Sequence, residues 1–223
     1  MTKPICIIPA RGGSKEFPGK NIALLAGQPL ICHTISHALD TELEVIVSTD
    51  DDSIATISQS AGAKVIHRPK ELSGDIAPSE WALMHVLNNI PAPEFVVFLQ
   101  CTSPIRRRYD IRHAINTFFA ERADSLLSVV PFKRFIWRGK DLWPYPANYE
   151  PKSRPMRQHI AEEEWLENGS IYILRPEVLE KYGNRIGGKI ALYPMPWFTQ
   201  WEIDTREDLA LNEWILNMEF VGR

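Results

Sequence analysis

The sequence predicts an α/β fold, a mostly parallel sheet with helices on both faces, and three observations predict it. Short runs rich in β-branched and aromatic residues alternate with amphipathic segments of helix length. The runs CIIPA and FVVFLQ are almost continuously apolar, as strands covered on both faces should be. Strands separated by helices of this length imply right-handed βαβ units, which make the strands they join parallel.

The elements follow in order. A strand over residues 5–8 precedes a helical pattern over 30–39. A strand at 45–48 leads to a helix at 53–61, and one at 64–67 to a helix at 79–89. The run at 95–99 precedes a helix at 109–121, and 125–130 is strand again. From about residue 131 the texture changes to Pro, aromatics and charge with no clear period. Order resumes with the strand NGSIYIL, a short helix at 176–182, the strand KIALYPM and a closing helix from Thr205. The 223 residues read as one domain, 1–223, with 131–165 an irregular excursion from it.

Bulk composition excludes several classes. A formal charge of −3 offers no basic field for nucleic acid, so any polyanion must meet a local cluster of positive charge. The apolar start MTKPICIIPA is too short for a secretion signal, and no run is long enough to span a membrane. Three widely spaced cysteines without a CxxC suit a reducing, cytoplasmic setting and argue against a disulfide framework or zinc knuckle. His33 and His37 have metal-like spacing, but no HExxH accompanies them, and a helix face explains them.

The first strand ends in RGGSKEFPGKN, with Arg11, Lys15 and Lys20 within ten positions. Gly12 and Gly13 permit positive φ and close approach of backbone N–H groups to a ligand. In open α/β sheets ligands bind beyond the carboxyl ends of the strands, near a reversal of strand order, and this loop occupies such an end. The dinucleotide pattern GxGxxG is absent. A P-loop needs four residues between its glycines, whereas Gly13 and Gly19 enclose five. A solvated surface turn is the alternative, and the position after the first strand favours phosphate.

PARGGSKEFPGKN resembles the nucleotide-binding motif of the acylneuraminate cytidylyltransferases, the CMP-sialic acid synthetases. VSTDD, HRPKELSGDIAPS, LQCTSPIR, RPMRQ, ENGSIYI and EIDTREDL follow in the family's order, from the first strand to the last helix. The GKN ending favours this branch over the related Kdo cytidylyltransferases. The resemblance implies a Rossmann-like fold of the nucleotide-diphospho-sugar transferase type. It also implies transfer of CMP from CTP to the anomeric hydroxyl of a nine-carbon 2-keto sugar acid, with Mg²⁺ and release of pyrophosphate. A nucleotide-binding regulatory relative without transferase activity is the alternative reading. The letters leave open which acid is used: sialic, legionaminic, pseudaminic or deaminated sialic.

Such a reaction needs neutralisation and alignment of a polyanion rather than a covalent intermediate. Arg11 can fork onto phosphate oxygens and Lys20 can sit as a point charge on the departing pyrophosphate. The resemblance adds Gly12, Gly13, Ser14 and Asn21 on the nucleotide, with Arg68 and Ser79 by the cytosine. Read alone, Arg68 is a strand-end charge and Ser79 a helix cap. Gln100, Arg157, Asn168 and Tyr172 fall to the sugar acid by resemblance, Arg157 matching an Arg that handles the acid; its carboxylate calls for a cation. Cys101 stands where the family commonly has Pro, and with no paired His it is not a nucleophile.

WEIDTREDL supplies the metal hypothesis. In a strand Glu202 and Asp204 share one face, and Mg²⁺ takes one or two protein carboxylates completed by phosphate and water. Asp204 is the first ligand; Glu202 acts directly, through water, or on a second ion, where the family usually has Asp. Thr205 and Asp208 also match a capping box, which leaves Asp204 free if Thr205 does the capping. In the excursion, Phe132, Phe135, Trp137, Trp143, Tyr145 and Tyr149 argue against disorder. Aromatics of this density mark partner surfaces, and the resemblance adds a twofold homodimer in which this region reaches the other subunit.

Overall fold

The computed structural model describes residues 3–139, 143–156 and 164–218. Strand β1 (Ile5–Pro9) leads through the loop and a short hairpin, β2 (Leu24–Leu25) and β3 (Gln28–Pro29), into helix α1 (Leu30–Leu39). Then come β4 (Glu44–Thr49), α2 (Asp52–Ser60), β5 (Lys64–His67), α3 (Ser79–Leu87), β6 (Val96–Leu99), α4 (Asp110–Ala120) and β7 (Ser125–Phe132). A ribbon of β8 (Trp137–Arg138) and β9 (Tyr145–Pro146) precedes β10 (Glu164–Leu174), α5 (Pro176–Tyr182), β11 (Ile190–Pro194) and α6 (Arg206–Leu216). The expected elements are present, with ends that move by a few residues.

Seven strands form one sheet in the order β11-β7-β10-β6-β1-β4-β5. The chain moves outward from β1 to β4 and β5, then returns to place β6 on the other side of β1. Strand order therefore reverses between β1 and β6, and a crevice opens beyond their carboxyl ends. All strands run one way except β10, which is antiparallel to both β6 and β7. That single reversal makes the sheet mostly, not wholly, parallel.

Alternation along the strands builds two cores. Cys6 and Ile8 of β1 face a core shared with α1, α2, α4 and α6, to which Leu30, Ile35, Ile54, Phe118 and Leu209 contribute. Ile5 and Ile7 face the opposite core, with Leu83 and Val86 of α3 and Val178 and Leu179 of α5. Helices thus cover both faces, and the central strands read as continuous apolar runs for that reason.

The excursion differs from the wholly irregular segment expected at 131–165. Pro131 and Phe132 pair with Trp165 and Glu164, so both ends are sheet. Between them Phe135 and Tyr149 lie 4.7 Å apart at their ring centroids, and the Arg154 guanidinium stacks over Phe135 at 4.1 Å. Asn148 pins the ribbon, its amide donating to the Arg134 carbonyl at 2.8 Å and its oxygen accepting from the Ile136 N–H at 2.9 Å. Phe135 and Trp137 both pack on Tyr149 rather than on the main sheet, so no period shows in the letters. Among the described residues no helix is long and apolar enough to cross a membrane.

Candidate active site

The crevice at the strand-order reversal holds a cavity of about 260 Å³, lined by Arg11, Ser14, Lys20, Asn21, Arg68, Ser79 and Gln100 among others. Residues far apart in sequence converge there because each follows the carboxyl end of a strand or opens the next helix. Arg11 follows β1, Arg68 follows β5, Gln100 follows β6, and Ser79 begins α3.

The opening loop is held from inside. Asn21, 8% exposed, donates its side-chain amide to the Arg11 carbonyl at 2.9 Å. The Gly12 N–H donates to the Asp50 carboxylate at 3.0 Å, so VSTDD anchors the loop. Gly12 and Gly13 were expected to serve through positive φ, yet neither has it; Gly19 does, at 72°. Gly12 is required by proximity: a Cβ there would lie 2.7 Å from Asp51 Oδ2 and 2.9 Å from its Cβ. Asp51 cannot retreat, because its side chain caps α2 by accepting from the Ile54 N–H at 2.9 Å.

The cations of the pocket are paired. Arg11 donates to the Gly74 carbonyl at 3.0 Å and to Asp75 at 3.3 Å, and Lys15 reaches Asp75 at 2.7 Å. The hydrogen bond from Lys15, with help from Arg11, holds the Asp75 carboxyl below its ordinary range. Lys20, 12% exposed at its side chain, sits 2.8 Å from Asp204. Arg68 is 7% exposed and donates through Nε to the Ser73 hydroxyl at 2.9 Å. Burial lowers its pKa, although the Asp50 charge opposes that shift. Asp75 and Ser73 belong to HRPKELSGDIAPS, whose loop between Arg68 and Ser79 wraps one wall of the cavity. Sequence reasoning assigned neither residue, and the separation of 64 positions between Arg11 and Asp75 left no local signal.

Ser79 does not cap its helix: Pro78 holds the cap position and no side-chain cap bond forms. Ser79 lines the cavity. Gln100 also lines the cavity. Asn168 and Tyr172, expected beside the sugar, have side chains turned into the interior. Asn168 is fully buried, donating to Thr199 at 2.9 Å and accepting from Ser128 at 2.6 Å. Tyr172 packs edge-on to Phe98 under the Arg185 guanidinium, and its hydroxyl donates to Glu167. Arg157 lies outside the described residues. Burial pushes the Cys101 thiol up to about 12, which keeps it protonated.

Glu202 and Asp204 do not lie in a ladder strand, yet they project alike because Ile203 between them is fully buried and donates its N–H to the Thr102 carbonyl at 2.8 Å. The capping box of α6 is complete with Thr205 and Asp208; the Asp204 backbone N–H also donates to Asp208 at 3.1 Å, but its side chain has no part in the cap. Burial raises the Glu202 pKa and the neighbouring Asp204 charge raises it further, with Lys20 opposing. Two hard carboxylates that repel each other, one of them beside the cavity-lining Lys20, fit Mg²⁺, which prefers oxygen ligands and few protein carboxylates. His33 is bonded to the Leu25 carbonyl at 2.8 Å, and among the described residues no group of three or more His, Cys, Asp or Glu could hold a metal.

A cytidylyltransferase family profile matches residues 5–142. The chain belongs to the cytidylyltransferase family. Among curated relatives, this cytidylyltransferase is 40% identical over 216 residues to an N-acylneuraminate cytidylyltransferase of Escherichia coli, covering 94% of the chain and 51% of that protein. It is 34% identical over 224 residues to N-acylneuraminate cytidylyltransferase A of Danio rerio, covering 97% and 52%. The chain thus spans about half the length of these curated relatives. A pseudaminic acid cytidylyltransferase of Campylobacter jejuni is 34% identical over 143 residues, 61% of the chain and 62% of that protein. Among solved structures, a CMP:2-keto-3-deoxy-manno-octonic acid synthetase complexed with CTP superposes with a TM-score of 0.75 at 20% identity. That match covers 96% of this chain and 98% of the other, and supports the nucleotidyltransferase fold.

Proposed function

We propose that this cytidylyltransferase transfers CMP from CTP to the anomeric hydroxyl of a nine-carbon 2-keto sugar acid, sialic acid or a relative, with release of pyrophosphate. The observation that carries the reading is the convergence of Arg11, Lys20, Arg68, Ser79 and Gln100 on one cavity at the strand-order reversal. The names of the curated relatives support the choice of acid. Arg11, with Ser14 and the loop held by Asn21, binds the triphosphate, and Lys20 stabilises the charge that builds on pyrophosphate as it departs. For Arg11 and Lys20 to act so, they exchange Asp75 and Asp204 for phosphate oxygens. Arg68 and Ser79 face the cytosine, while Gln100 and Arg157 take the acceptor, the Arg pairing with its carboxylate.

Asp204 and Glu202 would hold Mg²⁺, which when bound supplies charge neutralisation and orientation of the phosphates. The exposed aromatics Trp137, Trp143 and Tyr145 support a homodimer in which the excursion reaches the partner's sugar side. The free cysteines suit a cytoplasmic setting. Pyrophosphate release, measured across nucleotides and candidate acids with and without EDTA, tests the reading. Turnover restricted to CTP, one class of acid and added Mg²⁺ is expected. CTP binding without turnover on any acid would replace it with a regulatory nucleotide-binding role.

A further inference from the structure

Arg106, the last residue of LQCTSPIR, has no part in the reaction described above. It is 3% exposed, and among the described residues no carboxylate pairs with it at ion-pair distance. Its guanidinium instead joins three elements. Nη2 donates to the Gln100 carbonyl at 3.0 Å and to the Ser170 carbonyl at 2.8 Å, and Nη1 donates to the Thr34 hydroxyl of α1 at 3.2 Å. Burial pushes its pKa down to about 10, still charged at neutral pH. Asp110 acts on it only from a distance, its own ion pair being with Arg107, and a buried cation with no anion in contact is costly for a fold to keep.

The sheet explains where it stands. The β6–β10 ladder ends at the pair Leu99 and Ile171. The next opposed residues, Gln100 and Ser170, both turn their carbonyls to Arg106 rather than to each other. At the same level the β10–β7 ladder breaks between Glu167 and Tyr172. There the Ser128 hydroxyl accepts the Ile171 N–H at 2.8 Å in place of a ladder bond. Strand β10 therefore parts from both neighbours where the cavity begins, and side chains fill the gaps. The strand turns at Gly169, φ 64°, and a Cβ at that position would lie 2.4 Å from Glu202 Oε1 and 3.1 Å from Gln100 Oε1. The Gly169 turn thus lies against both the Glu202 carboxylate and the Gln100 side chain, and Arg106 holds the backbone of Gln100 and of Ser170, the residue after the turn.

We propose that Arg106 is a positioning residue for the acceptor side of the site. Nη2 bridges the Gln100 and Ser170 carbonyls, and the other arm of the fork, Nη1, ties that bridge to Thr34 of α1; together they set where the Gln100 amide and the Glu202 carboxylate lie. The effect on rate rests on the proposed transferase activity; the effect on geometry does not. Arg106→Lys keeps the charge and loses the fork.

Crystal structures of the wild type and Arg106→Lys are compared, together with the two Michaelis constants and CTP binding by calorimetry. The expected result is displacement of Gln100 and Glu202 with Arg11, Lys20 and Arg68 unmoved. Turnover on the acceptor side is expected to fall roughly ten- to a hundredfold, the scale of a misplacement of about 1 Å, while CTP affinity, measured without Mg²⁺ so that Glu202 takes no part in it, stays within about twofold. A purely structural role would weaken both substrates together. Thr34→Val, which removes one anchor of the guanidinium, is expected to give the same asymmetry at smaller size, and decides the matter if the first variant does not fold. Unmoved Gln100 and Glu202, or equal loss on both substrates, overturns the proposal. Displacement in a protein that turns over no acid would overturn the functional reading alone.

Discussion

Replacing Gly169 by Ala tests the turn at which β10 leaves its neighbours. The backbone there has φ 64°, a left-handed conformation that costs an L-residue about 1–2 kcal/mol. The new Cβ would also meet Glu202 Oε1 at 2.4 Å and Cδ at 2.8 Å. These atoms end a flexible side chain, so the carboxylate swings aside at about 0.5–1.5 kcal/mol of rotamer strain. Lower entropy of the unfolded Ala chain offsets about 0.4–1 kcal/mol of this loss. The net loss is about 2 kcal/mol, and in a domain of this size that lowers Tm by roughly 4–8 °C. A thermal melt without substrates, followed by steady-state pyrophosphate release, gives the two readings. Turnover is expected to fall by about tenfold or more, because the displaced groups are Glu202 and Gln100. A variant that melts within about 1 °C of the wild type and keeps its rate refutes both the left-handed turn and the contact.

Asp204→Asn leaves the Thr205–Asp208 capping box intact, so the melting temperature is expected to change little while turnover falls by roughly a hundredfold; loss of stability with full activity would assign Asp204 to the fold. With Ser79 and Arg68 on the base, CTP is expected to exceed UTP by about ten- to a hundredfold in kcat/KM, and Ser79→Ala to narrow that ratio; equal use of the two nucleotides contradicts the assignment. His37, partly buried with Nδ1 unpartnered, has its pKa lowered to about 4 by burial and the nearby Arg106 charge. The unfolded chain then takes the proton first as pH falls, so stability is present above about 6.5 and is lost toward 4, by up to about 3 kcal/mol at 1.36 kcal/mol per unit. Urea midpoints at pH 7 and pH 5 are expected to converge in His37→Gln, and an unchanged gap would place the acid sensitivity elsewhere.

The parallel framework was legible because its signal is local. CIIPA and FVVFLQ each state their own burial, and the helices between them leave one way to connect. The reversal of β10 was not legible, since NGSIYIL has the same alternation in either direction. Its Tyr172 does alternate with Ile171 and Ile173, and the structure sends it to the opposite core from theirs. Arg11, Lys20 and Gln100 could be placed because each follows a strand end or lies in a loop with an unusual density of charge. Asp75 and Arg106 could not. Asp75 meets its partners across 64 positions of chain, and Arg106 is the first of three consecutive arginines, with no local signal for which of them is buried. Gly12 is required for space beside Asp51 rather than for freedom in φ, and at Gly13 neither reason applies, since its φ is not positive and a Cβ there would meet nothing within 4 Å.

The pairing of Arg11 and Lys15 with Asp75, and of Lys20 with Asp204, bears on which anions the pocket discriminates among. A cluster of bare cations would attract every phosphorylated metabolite that diffuses past. Here an incoming phosphate competes with a carboxylate already in place, and the gain is only the difference between the two. A small phosphate that takes Lys20 strands Asp204 without a counter-charge. A ligand long enough to engage Arg11 and Lys20 together, and accompanied by a cation of its own for the displaced carboxylates, leaves no charge stranded. On the proposed function, selectivity among anions is therefore set by length and escort, and the acids of the pocket act as a filter as much as its bases act as a trap.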